Sequence, residues 1–569
     1  MPPPKKPASL IYSLEESPPT LVTISNGVQH VGVIAINLVY PLLIFRAANA
    51  PIEVVTDLLA IGMFVLGVGT FLQSRGVGPV GSGFMCPSTF TATYFGPSLL
   101  AATSGGLSLV FGMTFFAGAL EAAIAPLLNR LRAIFPPEVS GLVILMIGLS
   151  AGIAGLRSML GNGVAPVSLT EWMVAGFTLA TMAALNVWAT GLVRMLCALI
   201  GLVVGYIAAG FSGLLDANML TAVSQASVIG LPSLRHLWWS FDVALIAPFA
   251  IAAVAAAMKA AGTIAVCQRS NDANWVRPDM QSVTRGVLAD GVTTAFSGLA
   301  GGVGTNTSTP VVGLAVATGV TSRTVAYAAG AIFIVLSLFP KLTALFAVIP
   351  RAVIVPALLF TVTFIMINGL QVINSRLLDA RRTLTIGLAI VAGAAVEVFP
   401  SIAASVPKSL TPLIGSSLVF STVIALVLNL LFRIGVKKTV RLTVDAQQLK
   451  PNEIEDFMQK SGGAWAARPE VVKRATFGIN QLIETVAGEC LRSGPIMIEA
   501  SFDEFNLNVR VSYEGDMLEF PQQRPTNEQI RESDDGARLL AGFMLRRNAD
   551  RVRSDAKDGR ASVLFHFDH

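Results

Sequence analysis

Long apolar runs recur along most of the chain, and they constrain its fold more than any other feature. A helix needs about 20 apolar residues to cross the roughly 30 Å hydrocarbon core of a bilayer. Charged residues make up only 13% of the sequence, whereas an average soluble domain carries about 25%. Apolar runs begin near Leu21, Val54, Leu107, Gly141, Trp172, Met195, Val243, Val292, Tyr327, Val353, Ile386 and Pro412. The sequence therefore predicts an all-α polytopic membrane protein over residues 21–435, preceded by a polar tail at residues 1–20.

Two further stretches are interrupted by glycine, serine and threonine. One is "GPVGSGFMCPSTFTATYFGPSLLAA" around residues 84–95, and the other is "GGVGTNTSTPVVGLAVATGV" at residues 301–320. They are the third and tenth of fourteen expected membrane elements, which gives two halves of seven. This pattern is typical of inverted-repeat transporters, whose broken elements lie at the bilayer midplane. Close helix packing by small residues would explain one such stretch, but two in matching places favour a site.

The interrupted stretches also predict a local structure. Non-helical backbone at membrane depth must line a protein-enclosed cavity, because lipid cannot satisfy its polar groups. We expect "FMCPSTFTAT" and "TNTSTPVVG" to pair there as two short antiparallel strands. Each strand would lead into a half-helix, and the N–H groups at a helix start attract anions and hydrogen-bond acceptors.

Basic residues predict the orientation of the chain in the membrane. With the amino terminus in the cytoplasm, the inward loops and the exit of the last span contain Arg75, Arg130, Arg132, Arg269, Arg277, Arg285, Arg323, Arg376, Arg381, Arg382, Arg433, Lys437, Lys438 and Arg441. The outward loops hold fewer basic residues, such as Arg46, Arg157, Arg235 and Lys408. This asymmetry follows the positive-inside rule. It predicts a multi-pass protein of the inner membrane with both termini in the cytoplasm.

The composition changes near Lys437. From there charges are frequent, strands alternate in "IMIEASFDEFNLNVRVSYEG" and "RASVLFHFD", and helical periodicity appears in "RATFGINQLIETVAGECLRSG" and "GARLLAGFMLRRNADRV". Residues 436–569 are therefore expected to form a cytoplasmic α+β domain. The domain faintly resembles the histidine-kinase-type ATPase fold, but it lacks the glycine-rich lid and the Asp-x-Gly-x-Gly turn. We expect a regulatory, sensing or dimerising module, or a plain interaction domain, rather than an ATPase.

Metal and cofactor chemistry is not indicated by the sequence. Cys86, Cys197, Cys267 and Cys490 are scattered and form no Cys-x-x-Cys pair, so neither a disulfide framework nor a zinc site is expected. The four histidines are equally dispersed, which offers no ligand cluster. No catalytic constellation is visible. The chain is expected to be neither an enzyme nor a nucleic-acid-binding protein, and to need no cofactor.

Several motifs together resemble the nucleobase–ascorbate transporter family. In order, they are "QHVGVIAINLVYP", "GSGFMC", "FPPEVSG", "TRGVLADGVTTAFSGLAGG", "TSTPVVGLAVATGVTSR" and "IPRAVIVPALL". The resemblance covers about residues 20–435. It implies fourteen spans in a core domain and a gate domain, an elevator movement, a homodimer, and transport of nucleobases or ascorbate with protons or sodium. It also implies a substrate site formed by Gln29, His30, Phe90, Thr91, Ala92, Lys259, Thr263, Thr309, Pro310, Val311 and Gly313.

The chain departs from the family pattern at two places. The eighth span of the family usually carries a glutamate that holds the nucleobase, and here Lys259 stands at that position, followed by Thr263. In the tenth element Val311 replaces the usual asparagine, within the sequence Pro310–Val311–Val312–Gly313. Proline at the first of these positions resembles the ascorbate branch. Neither usual acidic group is present, so the way transport is coupled to an ion is open.

Other ionisable residues are candidates for coupling. Glu121 and Asp290 lie in predicted membrane elements, where the cost of burying a charge makes a functional role the default hypothesis. Solvation near the cytoplasmic end of its span is the alternative for Asp290. His30 is either a ligand or coupling group, or a hydrogen-bonding residue that fixes the core domain.

Lys259 has three possible explanations, since a lysine at a helix centre costs about 2.5–3.5 kcal/mol and needs a partner. It could pair with Glu121, it could be neutral because of burial, or it could bind the negative charge of a substrate. We favour the last.

The predicted function is secondary transport of nucleobase-like compounds, of the xanthine, urate or uracil type, or of related small organic anions. The alternative is a transport-disabled membrane receptor that signals through the carboxy-terminal domain.

Overall fold

The computed structural model describes residues 5–128, 136–160, 167–215, 221, 223–275, 278–374, 378–399, 401–407, 414–432, 438–445, 452–465, 467–503, 506–526, 536–557 and 559–568. The chain forms two compact units. The first contains residues 1–373 and 386–426, and the second contains residues 374–385 and 427–569. Each unit has its own apolar core. The predicted domain boundary at residue 435 stays a prediction.

The first half of the helical region contains eight of the described helices and one short strand. These elements are α1 (Thr20–Ala35), α2 (Val39–Ala47), α3 (Ile52–Ser74), β1 (Ser88–Phe90), α4 (Phe95–Ile124), α5 (Pro137–Met159), α6 (Leu169–Trp188), α7 (Gly191–Met195) and α8 (Cys197–Phe211). Single 3₁₀ turns at Ile36–Leu38 and Ala92–Tyr94 lead into α2 and α4. Helix α4 is broken at Gly106, whose φ is 71°, a backbone conformation that glycine adopts without steric cost. This break separates the predicted third and fourth elements.

The second half repeats the sequence of long helix, short strand and short helix. Its elements are α9 (Ile246–Asn271), α10 (Met280–Ala300), β2 (Thr305–Thr307), α11 (Thr309–Thr318), α12 (Arg323–Leu336), α13 (Pro340–Ala347), α14 (Arg351–Ile373), α15 (Ala380–Val398), α16 (Ser401–Ala404) and α17 (Ser417–Phe432). Six of the described helical segments are long and apolar enough to cross a membrane, or seven if the bent pair α12–α13 is one span. Three shorter helices, α8, α11 and α17, are also apolar. The chain is therefore a helical membrane protein, and the number of fourteen elements in two inverted halves stays a prediction.

Two helices of the first unit approach each other backbone to backbone. A Cβ atom added at Gly118 of α4 would collide with the backbone nitrogen of Ala295, and one at Gly291 of α10 would collide with that of Ala122. Small residues permit this close contact between membrane helices. As a consequence, Glu121 and Asp290, one turn or less from these glycines, lie side by side between α4 and α10.

The second unit is built on one antiparallel sheet. Its strands are β3 (Lys438–Val444), β4 (Leu491–Phe502), β5 (Asn506–Gly515), β6 (Arg551–Lys557) and β7 (Arg560–Asp568), in the order β3-β4-β5-β7-β6. Helices α18 (Glu453–Ala464), α19 (Pro469–Glu489) and α20 (Gly536–Asn548) complete the described part of the unit. One face of the sheet carries the buried side chains, for instance Leu507, Val509 and Val511 of β5, because side chains alternate along a strand.

One boundary in this unit differs from the sequence prediction. The helical pattern was expected to continue through Val552, but α20 ends at Asn548 and Arg551 begins strand β6. Val552 packs against the apolar core from that strand. Helix propensity alone does not indicate where α20 ends, because the edge strand β6 is held by its pairing with β7.

Candidate substrate site

The two interrupted stretches meet in the interior of the first unit. Strands β1 and β2 pair antiparallel, with Ser88 opposite Thr307, Thr89 opposite Asn306 and Phe90 opposite Thr305. The predicted pairing is confirmed. All six residues are buried, and their side chains are tied to neighbouring helices. The Asn37 side chain, just beyond α1, donates a hydrogen bond to Thr89 Oγ1 at 2.7 Å.

Each of the paired strands leads directly into a helix start. After β1, Thr91 caps the 3₁₀ turn that leads into α4, and its Oγ1 accepts a hydrogen bond from the Thr93 backbone N–H at 3.2 Å. After β2, helix α11 begins at Thr309 without a side-chain cap. The first N–H groups of a helix have no partner within the helix, and they give its start a partial positive charge. Two such starts therefore face the region where the strands end.

Lys259 of α9 extends towards the same region. Its Nζ donates a hydrogen bond to Thr91 Oγ1 at 3.3 Å, and the side chain is partly buried. One turn further along α9, the Thr263 and Thr309 hydroxyls are 2.8 Å apart. Lys259 is within electrostatic range of Asp290 and Glu121, but among the described residues it forms no ion pair with either of them. Its ammonium group is thus held beside a helix start without a direct counter-ion.

Behind Lys259 lies a buried network of acidic and polar side chains. Tyr94 donates a hydrogen bond to Glu121 Oε2 at 2.8 Å, and Asn306 donates one to Asp290 Oδ2 at 2.7 Å. Glu121 and Asp290 are 0% and 2% exposed, and their carboxyl groups interact with each other. The remaining oxygen of each, Glu121 Oε1 and Asp290 Oδ1, has no donor among the described residues. One proton shared between the two carboxyl groups would satisfy both oxygens and relieve the repulsion of like charges.

Two alternatives from the sequence are corrected by this geometry. Solvation does not explain Asp290, because it is buried in the middle of α10 rather than exposed near a helix end. A direct ion pair between Lys259 and Glu121 is also wrong, since Glu121 is bonded to Tyr94. Close packing at Gly118 and Gly291 brings the helices that carry the two acids together.

The other predicted site residues are an exposed pair, a buried group of three, and the pair Gln29 and His30. Pro310 and Gly313 lie on an exposed face of α11, where a Cβ at Gly313 would meet no atom within 4 Å. Phe90, Ala92 and Val311 are buried. Phe90 packs on Gly62 of α3.

Gln29 and His30 lie in α1, and among the described residues neither forms a hydrogen bond with Lys259. His30 Nδ1 is 2.6 Å from the Asn26 carbonyl oxygen, within the same helix. Gln29 Oε1 and His30 Nε2 are buried without a hydrogen-bond partner among the described residues. The contact with Asn26 supports a structural role for His30, although its second nitrogen is free to bind.

The sequence predictions do not include three polar residues of the candidate site. Asn37, Tyr94 and Asn306 support the strands and the carboxyl groups, and each is a polar residue within an apolar or interrupted membrane stretch. The cost of burying a polar group without a partner was a signal for all three. Their partners, however, are up to 52 residues away, and no short-range pattern identifies them.

Taken together, these groups can hold a small anion and a proton. Two helix starts, three threonine hydroxyls and one ammonium group surround the ends of the strands, and hydrogen bonds to such charged groups are strong. The carboxyl pair behind them can exchange a proton. Among the residues that the structure describes, no cluster of three His, Cys, Asp or Glu side chains could ligate a metal ion.

Comparisons with known proteins identify relatives of this chain. A profile described as a permease family matches residues 21–402. The xanthine permease XanP of Escherichia coli (strain K12) is 27% identical over 442 residues, which covers 75% of this chain and 95% of that protein. The uric acid permease PucJ of Bacillus subtilis (strain 168) is 27% identical over 412 residues, which covers 70% of this chain and 90% of that protein.

A solved structure shows the same fold. The murine solute carrier 26 family member A9 (Slc26a9), an anion transporter in the inward-facing state, superposes with a TM-score of 0.51 at 10% sequence identity. The match covers 79% of each chain. With the profile spanning more than half of its residues, this chain belongs to the xanthine/uracil permease family.

Proposed function

We propose that this protein is a secondary transporter that carries xanthine- or urate-type purines across the cytoplasmic membrane in anionic form. The observation that carries the proposal is Lys259, an ammonium group beside a helix start with no direct counter-ion among the described residues. The relatives named above, a xanthine permease and a uric acid permease, support purines as the substrate class. Related small organic anions would meet the same groups.

The charge of the site favours an anion over a neutral base. A buried lysine is costly unless a partner compensates its charge, and here the carboxyl groups of Glu121 and Asp290 lie behind it rather than in contact. The starts of α4 and α11 add partial positive charge. An anion placed between them and within reach of Thr91 would complete the site. Other family members have a glutamate at this position, which favours a neutral base. Lys259 in its place favours an anion.

Coupling to protons follows from the same network. Lys259 lies within electrostatic range of both carboxyl groups, and one proton shared between them would lower their mutual repulsion. An anion bound at Lys259 offsets part of the positive charge that acts on the carboxyl pair. Its binding therefore favours the uptake of a second proton by the pair. Affinity effects between two sites are reciprocal, so protons would in turn strengthen anion binding. We therefore propose proton–anion symport, with Glu121 and Asp290 as the proton site.

The arrangement of the whole chain is part of the proposal. Fourteen elements in two inverted halves, with spans one to four and eight to eleven as a moving core, would form the two domains of an elevator. Both interrupted elements, β1–α4 and β2–α11, belong to that core. The protein would be a homodimer in the inner membrane with both termini cytoplasmic, as the arginine asymmetry supports. Residues 436–569 would serve regulation or dimerisation.

Uptake by reconstituted vesicles tests the substrate site. Urate is an anion at neutral pH, and a charge-assisted hydrogen bond is worth about 1.5–3 kcal/mol. Lys259→Met should therefore lower the affinity for urate by roughly tenfold to more than a hundredfold, while the melting temperature stays close to that of the wild type. Lys341→Met removes an exposed lysine of α13 and should leave uptake unchanged. A stable Lys259→Met protein with unchanged affinity for urate would overturn the proposal.

The same vesicles test the proton site. An acidic exterior should accelerate urate uptake by the wild type, since protons and anions enter together. Glu121→Gln keeps the acceptor for Tyr94 but cannot release a proton, so it should abolish the response to the gradient and preserve exchange of urate for urate. If the gradient accelerates Glu121→Gln as it does the wild type, Glu121 is not part of the coupling site.

A further inference from the structure

Arginines are concentrated at one corner of the carboxy-terminal unit. Four of the eight residues from 546 to 553 are arginine, in the sequence "RRNADRVR". The surrounding chain does not explain them, because residues 438–568 contain 18 Lys and Arg against 21 Asp and Glu. A domain with a slight acidic excess thus carries a dense basic cluster at the junction of α20 and β6.

Three of these side chains border a cavity. Arg546, Arg551 and Arg553, which we call the arginine corner, line a cavity of about 300 Å³ together with Asp550 and Val552. Arg551 and Arg553 also line a second cavity of about 200 Å³, on the outer face of the sheet. Since residues two apart on a strand point to the same face, these two arginines form a wall between the cavities.

Within the described residues, no carboxylate pairs with the arginine corner. Arg546 donates a hydrogen bond to the Phe520 carbonyl oxygen at 2.9 Å, and none of the three arginines forms an ion pair within the described part of the chain. Asp555, two residues from Arg553 on the same strand, is exposed, and two other nearby carboxylates have partners outside the arginine corner. Asp550 forms an ion pair with Arg474 at 3.5 Å, and Asp568 Oδ1 lies 3.2 Å from His566 Nε2.

The ordinary explanation of basic residues at a helix end covers only part of the cluster. Arg546 and Arg547 lie in the last turn of α20, where cations interact favourably with the helix dipole. Arg551 and Arg553 lie on β6, an edge strand, beyond that helix end. Like charges on one strand face repel each other, so their grouping calls for an anionic partner.

We propose that the arginine corner binds the phosphate groups of an anionic ligand. Guanidinium groups present planar pairs of N–H donors that match phosphate oxygens and remain charged at every physiological pH. Three of them around one small cavity fit a ligand with several negative charges, such as a pyrophosphate moiety. Such groups occur in soluble nucleotides and on phospholipids, and both sources present the same chemistry.

Titration of the full-length protein in detergent with pyrophosphate tests the site. Arg551→Gln with Arg553→Gln removes two exposed side chains, so the fold should be kept, and affinity should fall by roughly tenfold or more. Arg441→Gln is the matched control, because Arg441 is an exposed arginine on β3, the opposite edge of the same sheet. It should bind pyrophosphate like the wild type. Equal affinity of the double variant and the wild type, or no binding by the wild type, would overturn the proposal.

Nanodiscs distinguish the two sources of phosphate. The titration is repeated in discs of phosphatidylcholine alone and in discs that also contain phosphatidylglycerol. If lipid headgroups fill the arginine corner, phosphatidylglycerol should weaken pyrophosphate binding by the wild type and leave the residual binding of the double variant unchanged. If the affinity of the wild type is the same in both discs, the ligand is a soluble phosphate compound.

Discussion

At the scale of single residues, the buried acid Asp290 depends on a donor contributed by the short strand β2. Asn306 donates hydrogen bonds from its side chain to Asp290 Oδ2 at 2.7 Å and to the Ala256 carbonyl oxygen at 3.0 Å. It thereby links β2, α9 and α10 with a single side chain. Buried polar groups whose partner is removed cost about 1–3 kcal/mol, and charged ones more.

The first prediction follows from this link. Asn306→Ala should lower the melting temperature of the detergent-solubilised protein and should also weaken urate binding, because Asp290 loses its donor and β2 its attachment to α9. Asn186→Ala is the control, since Asn186 is partly exposed on α6 and its side chain makes only a 3.6 Å contact with Cys197 Sγ. A melting temperature for Asn306→Ala equal to that of Asn186→Ala would contradict the role given to Asn306.

Single residues also show where prediction from sequence ends. Lys259 and Glu121 could be selected from the sequence, because a charge inside an apolar run is conspicuous wherever it lies. The position of the two side chains relative to each other could not be predicted, and a direct ion pair between them was one of the expectations. That relation depends on how closely α4 and α10 approach each other, which Gly118 and Gly291 permit from two places far apart in the chain. Local patterns report the cost of a buried group but not the identity of its partner.

At the scale of elements, the segment before α1 is more than a polar tail. Residues 5–19, the amino-terminal strap, run along the loops that follow α9 and α11. Ile11 and Tyr12 donate backbone hydrogen bonds to the Gly319 carbonyl oxygen at 2.8 and 3.0 Å, and the Lys5 N–H donates one to Asp272 at 2.9 Å. The strap thus connects the end of α9 with the loop between α11 and α12.

An ion pair within the strap leads to the second prediction. The hydrogen bond from Lys6 to Glu16, at 2.7 Å, holds the pKa of the exposed Glu16 carboxyl below its usual value. A lowered pKa means that ionised Glu16 favours the ordered strap, so this contribution is present at neutral pH and is lost as the pH falls through the lowered pKa. Glu16→Gln should therefore speed hydrogen exchange at the Ile11 and Tyr12 amides at pH 7.

The control for the strap is an acid without such a partner. Glu53→Gln changes an exposed carboxylate in the first turn of α3 and should leave the exchange of both amides unchanged. After correction for the intrinsic rates, the difference between Glu16→Gln and the wild type should shrink at acidic pH, where Glu16 of the wild type is protonated. A difference that persists there would exclude the ion pair as its cause.

Elements were predicted with uneven success, for a physical reason. The paired strands were expected because backbone rich in Gly, Ser and Thr at membrane depth has to satisfy its own polar groups. The end of α20 was missed because "RRNADRV" has helical residues on both sides of the boundary, and the ladder to β7 overrides that propensity from outside the segment. Local sequence predicts an element where its buried backbone must form hydrogen bonds nearby. Elsewhere, pairing with a distant segment determines whether the chain is helix or strand.

At the scale of the whole molecule, two separate apolar cores argue for separable functions. The larger core draws its buried residues from Val31 to Ala425, and the core of the carboxy-terminal unit draws its own from Val444 to Phe567. The groups assigned to the anion and the proton, Lys259, Glu121 and Asp290, all belong to the first unit. Binding of the substrate should therefore need none of the second.

The last prediction tests this separation. A chain that ends at Val436 keeps α17 and removes the whole sheet, starting with β3. Because each unit buries its own apolar side chains, the truncated protein should still fold in detergent and bind urate with the affinity of the full chain, whereas its uptake rate or its dimer stability changes. Combining the truncation with Lys259→Met should reproduce the loss of affinity seen in the full chain. A truncated protein that stays monodisperse and keeps its melting transition, yet no longer binds urate, would show that the carboxy-terminal unit takes part in the substrate site.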